Sequence, residues 1–474
     1  MGDGDNRVRR GVTGGAWFRN GRRSAPALLI AFVALAAPGE DIRSHLQRGL
    51  EFGKQGRWPD ALGELSAAVK LQPDSAEARY SLGVALFWTR QWPSARRELE
   101  HALHINPKLA EAHFFLGHVL EKTGDLDGAI ARFEAAIEAG ARGAEVRRSL
   151  GVALWNAGDF SGATRALREA VRLRPDLPDL QNELALALTQ AGDIAAATVE
   201  YRAILARFPE YLAAKRNLGL ALIQAGDATA AEKLYKELLA HGARDPVSEY
   251  NLGVALRAED NLDEALPHFR RAIELEPDFA GAHLDLGKAL YQLGRHTEAE
   301  QALRRRAGMQ PPSEDAWVTL AGVLRDQGRL AEAAGALREA VGVAPDSPDA
   351  HYALGLLLRR QGKHEEAVRE LETAAARRSE REALNSAVLA TITAMHHMDR
   401  GEPDRAAEEL RVIVSRTPQF APAHYQLSLA LRKLSRPEEA ATALRAAEKL
   451  DPGLRFCRSS LGPRAWLQRQ TRTN

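Results

Sequence analysis

A fixed repeat constrains this chain more than any other feature. Leu-Gly pairs recur at Leu82-Gly83, Leu116-Gly117, Leu150-Gly151, Leu218-Gly219, Leu252-Gly253, Leu286-Gly287 and Leu354-Gly355, each one or two periods after the last. The spacing from Leu82 to Leu116 is the period. It holds over 42–381, slips by five residues at 382–386, and resumes over 387–454. Ten units precede the slip and two follow it. A short fixed period marks an array in which each unit buries its apolar face against its neighbours. A chain of 474 residues built in this way needs no single large core.

Within the unit, certain positions hardly vary. The twentieth is Ala in all twelve units, from Ala61 to Ala440. The eighth is small: Gly in eight units, then Ala185, Ala321, Ala394 and Ser428. The twenty-fourth is large and apolar, as in Leu99, Phe133, Tyr201 and Phe269. Nine units close with Pro, as at Pro73 and Pro107, and two others have Gly140 or Gly242 one residue earlier. Each unit has two apolar-periodic runs long enough for helices. The closing Pro cannot continue a helix, and Gly suits a left-handed helix end. Small residues at the eighth and twentieth positions predict close helix contact. The large residue at the twenty-fourth is expected to fill the layer between neighbouring units.

This spacing of small residues, Ala, a large apolar side chain and Pro resembles the tetratricopeptide repeat family over 42–454. The resemblance implies an all-α fold: an α-solenoid, a right-handed superhelix of about twelve 34-residue helix-turn-helix units, with a concave groove lined by first helices. The expected organisation is a signal segment at 1–36, ten units at 42–381, an insert at 382–386, two further units at 387–454 and a basic capping tail at 455–474. Some residues depart from the family pattern. Its bulky fourth-position residue is Trp only at Trp317. The eleventh unit has Thr393-Ala394 in place of Leu-Gly and His397 at an apolar position, which marks it as irregular and a candidate hinge.

Charge separates the N-terminus from the rest. Residues 1–36 hold six Arg and two Asp, although the whole chain is nearly neutral with 64 basic and 63 acidic side chains. The remainder is therefore mildly acidic, which argues against nucleic-acid binding, since that needs a basic footprint. After Arg22-Arg23 an uncharged apolar run leads to Ala34-Leu35-Ala36. Charged, apolar and small-residue parts in that order form a secretory signal. The expected location is periplasmic or extracellular. An uncleaved segment would instead anchor the chain to a membrane, and a misassigned start would leave it cytoplasmic.

No catalytic constellation is legible. His101 and His104 lack a third ligand in sequence, and His364-Glu365 meets Val368 where a zinc motif needs His. The one cysteine, Cys457, has no local His, and Arg304-Arg305-Arg306 reads as a solvated helix end. No enzyme activity, metal or cofactor is expected. By the resemblance, the fifth and twelfth positions line the groove. Those positions and their neighbours supply Tyr80, Phe87, Phe114, Trp155, Asn217, Tyr250, Asn251, Tyr291, Tyr352 and Tyr425 as candidate peptide-binding residues. Rings on such a surface anchor extended peptides. The carboxylate clamp of chaperone-binding members is not matched, because Val84, Val152, Leu220 and Val254 replace its Asn. The expected function is a non-catalytic scaffold binding a protein or peptide partner in a bacterial envelope-associated assembly. The alternatives are a recruiting or regulatory subunit of a separately encoded enzyme, such as a glycosyltransferase, and a cytosolic scaffold. The signal reading predicts that N-terminal sequencing of protein from the envelope fraction starts at Ala37; soluble protein retaining Met1 would refute it.

Overall fold

A computed structural model of the chain describes residues 40–451 apart from 241, 243 and 244. The signal segment at 1–36, the tail at 455–474 and Cys457 lie outside the described residues. The described residues form helices and turns, without a strand. By internal packing they divide into two bodies, one running to Asp193 and the other Ile194–Leu450. The first body holds α1 (Glu40–Lys54), α2 (Trp58–Leu71), α3 (Ala76–Trp88), α4 (Trp92–Ile105), α5 (Ala110–Lys122), α6 (Leu126–Glu138), α7 (Ala144–Asn156), α8 (Phe160–Leu173) and α9 (Pro178–Ala191). The second opens with α10 (Ile194–Arg207), α11 (Leu212–Gln224), α12 (Ala228–Ala240), α13 (Pro246–Ala258), α14 (Leu262–Leu275), α15 (Ala280–Gln292) and α16 (His296–Ala307). It continues with α17 (Glu314–Asp326), α18 (Leu330–Val343), α19 (Pro348–Arg360), α20 (His364–Asp399), α21 (Pro403–Arg416), α22 (Ala421–Lys433) and α23 (Pro437–Leu450). Within each body, every helix packs on the next, and the architecture is an all-α solenoid.

The invariant positions acquire physical roles. A methyl group added at Gly117 would lie 2.6 Å from the Phe133 ring, and one at Gly151 would lie 2.6 Å from Leu167 Cγ. The same relation joins Gly83 to Leu99, Gly253 to Phe269 and Gly287 to Leu303. The twenty-fourth side chain thus rests on the eighth-position glycine of its own unit, and does not only fill the layer between units. Leu99, Phe133 and Phe269 are completely buried there. Burial of such a side chain contributes about 1.5–3 kcal/mol. The twentieth-position alanines from Ala61 to Ala440 are all buried, 3% exposed or less.

The turn inside each unit needs a left-handed residue at position fifteen. Nine units supply Gly, from Gly56 with φ 72° to Gly401 with φ 77°. The other three hold Arg90, Asp260 and Ser435 at φ 57–61°. Such a residue costs about 1–2 kcal/mol when it is not Gly. Caps begin several helices: Ser75 Oγ accepts from Ala78 N, Asp125 from Gly128 N and Ser347 Oγ from Ala350 N. Each such cap satisfies a backbone donor that the first turn leaves without a partner.

The tenth unit closes with neither Pro nor Gly; Ser379 stands at the closing position. Nothing ends the second helix, and α20 runs unbroken for 36 residues through 382–386 into the eleventh unit. Its length is about 54 Å at 1.5 Å per residue. Most of 375–386 is exposed, with only Arg377 and Leu384 half-buried. Beyond it the repeat geometry returns. Arg411 reaches Glu439 at 3.1 Å with the same 28-residue offset as Arg270 to Glu298 at 2.7 Å and Arg338 to Glu366 at 3.2 Å.

Contact with the glycine predicts that Gly117→Ala destabilises the fold by about 1–3 kcal/mol through overpacking. The exposed mid-helix Gly335, whose added methyl meets nothing within 4 Å, should instead gain about 0.4–1 kcal/mol on change to Ala. Urea unfolding of the two variants measures the difference in sign.

Candidate functional site

The first helix of each unit divides its surface between packing and solvent. Positions three, seven and ten are buried from Ala78 to Leu357, and position five lies on an adjacent face. Of the candidate rings there, Tyr80 and Phe114 are half-buried and Tyr352 is 45% exposed. Tyr80 meets the Phe115 ring edge-on at 6.1 Å. Burial, aided by the Glu111 carboxylate, pushes its hydroxyl above the ordinary tyrosine range. Phe114 lies 4.6 Å from the His118 ring and 5.9 Å from Phe133. The Arg378 guanidinium sits 5.7 Å over the Tyr352 ring. Tyr425 is half-buried on α22.

Position twelve is occupied differently. Phe87 is 3% exposed and meets Trp92 at 5.3 Å, while Trp155 is 6% exposed and meets Phe160 at 5.3 Å. Tyr291 repeats the contact with His296 at 5.8 Å. Each ring packs across its own turn on position seventeen. Phe87 and Trp155 therefore expose little surface to a ligand. This pairing of the twelfth and seventeenth positions was the signal available in the sequence.

Two further candidates are tied to the following unit. Tyr250 donates its O–H to Asp285 Oδ2 at 2.7 Å, and Tyr291 donates to Asp326 Oδ2 at 2.6 Å. Arg148 makes the equivalent bond to Glu183, Nε to Oε2 at 2.7 Å. All three span 35 residues and join neighbouring first helices.

The asparagines turn inward. Asn251 is 7% exposed and donates Nδ2 to Tyr235 Oη at 3.1 Å; Tyr235 in turn donates to the Arg216 carbonyl at 2.8 Å. Tyr235 is fully buried, and burial pushes its hydroxyl above the ordinary range. Tyr stands at position twenty-four only in Tyr201 and Tyr235, and Asn stands at position six only in Asn217 and Asn251, each one unit later. That coincidence is visible in the sequence, and for Tyr235 and Asn251 it is a structural partnership. Asn217 is half-buried.

Polar residues not singled out by sequence also emerge. His113, His283, His351 and His424, all at position four, place Nε2 2.8–3.0 Å from the carbonyl of the Pro closing the preceding unit. A carbonyl only accepts, so each Nε2 carries a proton. His113 and His283 are held below their ordinary values, chiefly by burial. His at this position takes the place of the family's bulky residue. A second set joins α5 and α7: Ser149 Oγ lies 3.2 Å from His118 Nε2, and His118 Nδ1 lies 3.2 Å from Glu121 Oε2. Burial raises the Glu121 carboxyl, but the bond to His118 and its charge outweigh this, and the net shift is downward. The atom order is that of a hydrolase triad. Ser149, however, sits in the middle of α7, where backbone N–H groups are spent within the helix. No donor set for a developing oxyanion is thereby formed on that turn, and the three side chains act as a polar staple between first helices.

Among the described residues, no group of three His, Cys, Asp or Glu is arranged to hold a metal ion. No described helix is long and apolar enough to cross a membrane. Two models of the tetratricopeptide repeat match the sequence, one over 46–200 in overlapping segments and over 250–313, 318–383 and 393–454, the other over 188–248. The chain belongs to the tetratricopeptide repeat family. No curated protein matches it. Solved structures similar to this repeat array include MamA 41-end from Desulfovibrio magneticus RS-1, 22% identical with a TM-score of 0.33, covering 35% of this chain and 94% of that one. YrrB, a TPR protein with an unusual peptide-binding site, is 20% identical with a TM-score of 0.32, covering 46% and 95%. The APC/C hetero-tetramer Cut9-Hcn1 is 14% identical with a TM-score of 0.31, covering 90% and 97%.

The buried amide–phenol bond carries its own test. Asn251→Ala should destabilise the tetratricopeptide array by about 1–3 kcal/mol, since the Tyr235 oxygen loses a buried donor. In a Tyr235→Phe background the same change should cost less, and the double-mutant cycle should give a coupling of about 1 kcal/mol. Additive costs would show that the bond contributes nothing.

Proposed function

We propose that this tetratricopeptide array is a non-catalytic scaffold that holds a protein or extended peptide along its first-helix face. The observation carrying the reading is the set of rings at position five that remain open to solvent while their twelfth-position counterparts Phe87 and Trp155 are packed away. Tyr80 and Phe114 are the anchors in the first body, and Tyr352 and Tyr425 are those in the second, where Tyr352, at 45% exposure, has the most surface to give. Aromatic side chains that become desolvated on binding are the usual energetic centres of an interface. Within the second body, Tyr250, Tyr291, Asn217 and Asn251 are supports rather than anchors. Family membership supports the scaffold reading, because arrays of this kind generally bind protein or peptide partners. The N-terminal charge and apolar pattern supports placement in a bacterial envelope assembly, with the mature chain exported or held at the membrane by its leader.

The test is capture of a partner from envelope extracts by the full chain. Phe114→Ala with Tyr352→Ala should weaken capture by about thirtyfold, the equivalent of a roughly 2 kcal/mol anchor. Arg305→Ala, on an exposed helix end where Arg305 reaches Asp278, should leave capture unchanged. Thermal unfolding of each variant separates lost binding from lost fold. Undiminished capture by the double variant, with loss in Arg305→Ala, would move the binding surface to the basic face.

A further inference from the structure

Helix α20 leaves two halves of the array's own stacking interface in solvent. In units two to ten and in unit twelve, positions three, seven and ten of the first helix are all buried. They face the preceding unit, as Ala282 does where it shares a core cluster with Ala272 of α14. In unit eleven these positions are Leu389, Thr393 and His396, and all three are exposed, Leu389 by 67%. The opposite half of the interface is open as well. Val368, at position twenty-one, is 52% exposed; that position varies along the array, with Ile130, Leu266 and Ala334 buried, Leu62 half-buried and Arg96 exposed. Leu371 is only half-buried, although its equivalents from Leu65 to Leu337 are 4% exposed or less. Leu444 in the final unit is half-buried in the same way, so unit ten has the surface of a chain end.

The cause is covalent. The second helix of unit ten and the first helix of unit eleven are one rod and cannot fold against each other. Leu371 and Leu389 are separated by five whole helical turns, and so lie on one side of α20. Unit one offers a contrast. It puts the polar residues Ser44, Arg48 and Glu51 at positions three, seven and ten, as a face meant for water should. Unit eleven instead puts the apolar Leu389 at position three, with Thr393 and His396 at seven and ten.

We propose that a second copy of this chain closes both faces. The C-terminal module, from the second half of α20 to α23, stacks on unit ten of the partner chain, with the two α20 helices antiparallel about a two-fold axis. The contact required matches in position the one between the regular repeats, with Leu389 at position three and with Thr393 and His396 where those repeats carry Leu and an apolar residue. A two-fold exchange uses each open face once per chain and leaves no edge to propagate. The exposed crossing segment 375–386 interleaves three Arg with two Glu among small residues, so no block of like charge opposes it. The crossing segment touches the ring-bearing face at Arg378, whose guanidinium lies 5.7 Å over the Tyr352 ring, so the mass of the assembly and not partner capture is the readout.

Sedimentation equilibrium of the full chain should give twice the mass of one chain. Leu389→Asp, at a site exposed in the single chain, should leave helical content unchanged and raise the dimer dissociation constant about a hundredfold or more, because it buries a charge in the exchanged contact. Ser379→Pro restores the breaker that nine other units carry and should yield a single chain. A parent with the mass of one chain at every concentration would overturn the proposal. So would a dimer whose dissociation constant is unmoved by Leu389→Asp or by Ser379→Pro.

Discussion

The units with Gly at position eight depend on one contact, a large side chain at position twenty-four seated on that glycine. The separation of the two helices is set there, because a single added methyl would approach Phe133 or Leu167 to 2.6 Å. With the helices that close, position twenty has room only for Ala, and the turn between them is short enough to need a left-handed residue. Arg90, Asp260 and Ser435 take that conformation where Gly is absent, at φ 57–61°. The geometry of the pair outweighs the local preference of these residues. A solenoid repeats the same contact along the chain, so stability accumulates by small equal increments rather than through one core.

Polar side chains then follow from what that contact buries. A Tyr at position twenty-four carries its hydroxyl into the core, and a buried hydroxyl needs a partner. Asn251 supplies it for Tyr235 from the next unit. Histidines at position four answer a different need, taking up the carbonyl that the closing Pro turn leaves exposed in the joint between units. The polar bonds of 35-residue span, from Tyr250 and Tyr291 to aspartates, tie successive first helices together. Much of the polar and aromatic chemistry on the first helices is thus consumed by the solenoid itself. At position five, Tyr80 and Phe114 keep part of their surface exposed and Tyr352 keeps 45%.

The long helix shows how little separates a regular joint from a broken one. Every other joint has a Pro or Gly stop, and Ser379 is neither. Helix propagation is favourable once begun, so without a stop the segment Ala-Ala-Arg-Arg-Ser-Glu-Arg-Glu-Ala-Leu of good helix formers continues through the five extra residues. A sequence slip that reads as a loose connection becomes a rod. The hydrophobic positions on either side, Val368 and Leu389, are stranded because their natural partners are parts of the same helix.

The sequence by itself determined the repeat length, the helix pairs, the turns and the identity of the packed positions. These depend on local periodicity and on residue size, and both recur legibly in every unit. It also held the pairing of Tyr235 with Asn251, legible once position twenty-four is known to meet position six of the next unit. Only the tertiary structure decided which rings face solvent. Phe87, Phe114 and Trp155 are alike as apolar aromatic residues on first helices, but their exposure depends on the residue five places on, across a turn, and on the neighbouring helix. The triad-like order of Ser149, His118 and Glu121 was likewise invisible, because one unit's fold brings together side chains 31 residues apart. Burial is a property of surfaces meeting, and a one-dimensional pattern marks the side of a helix without recording what lies against it.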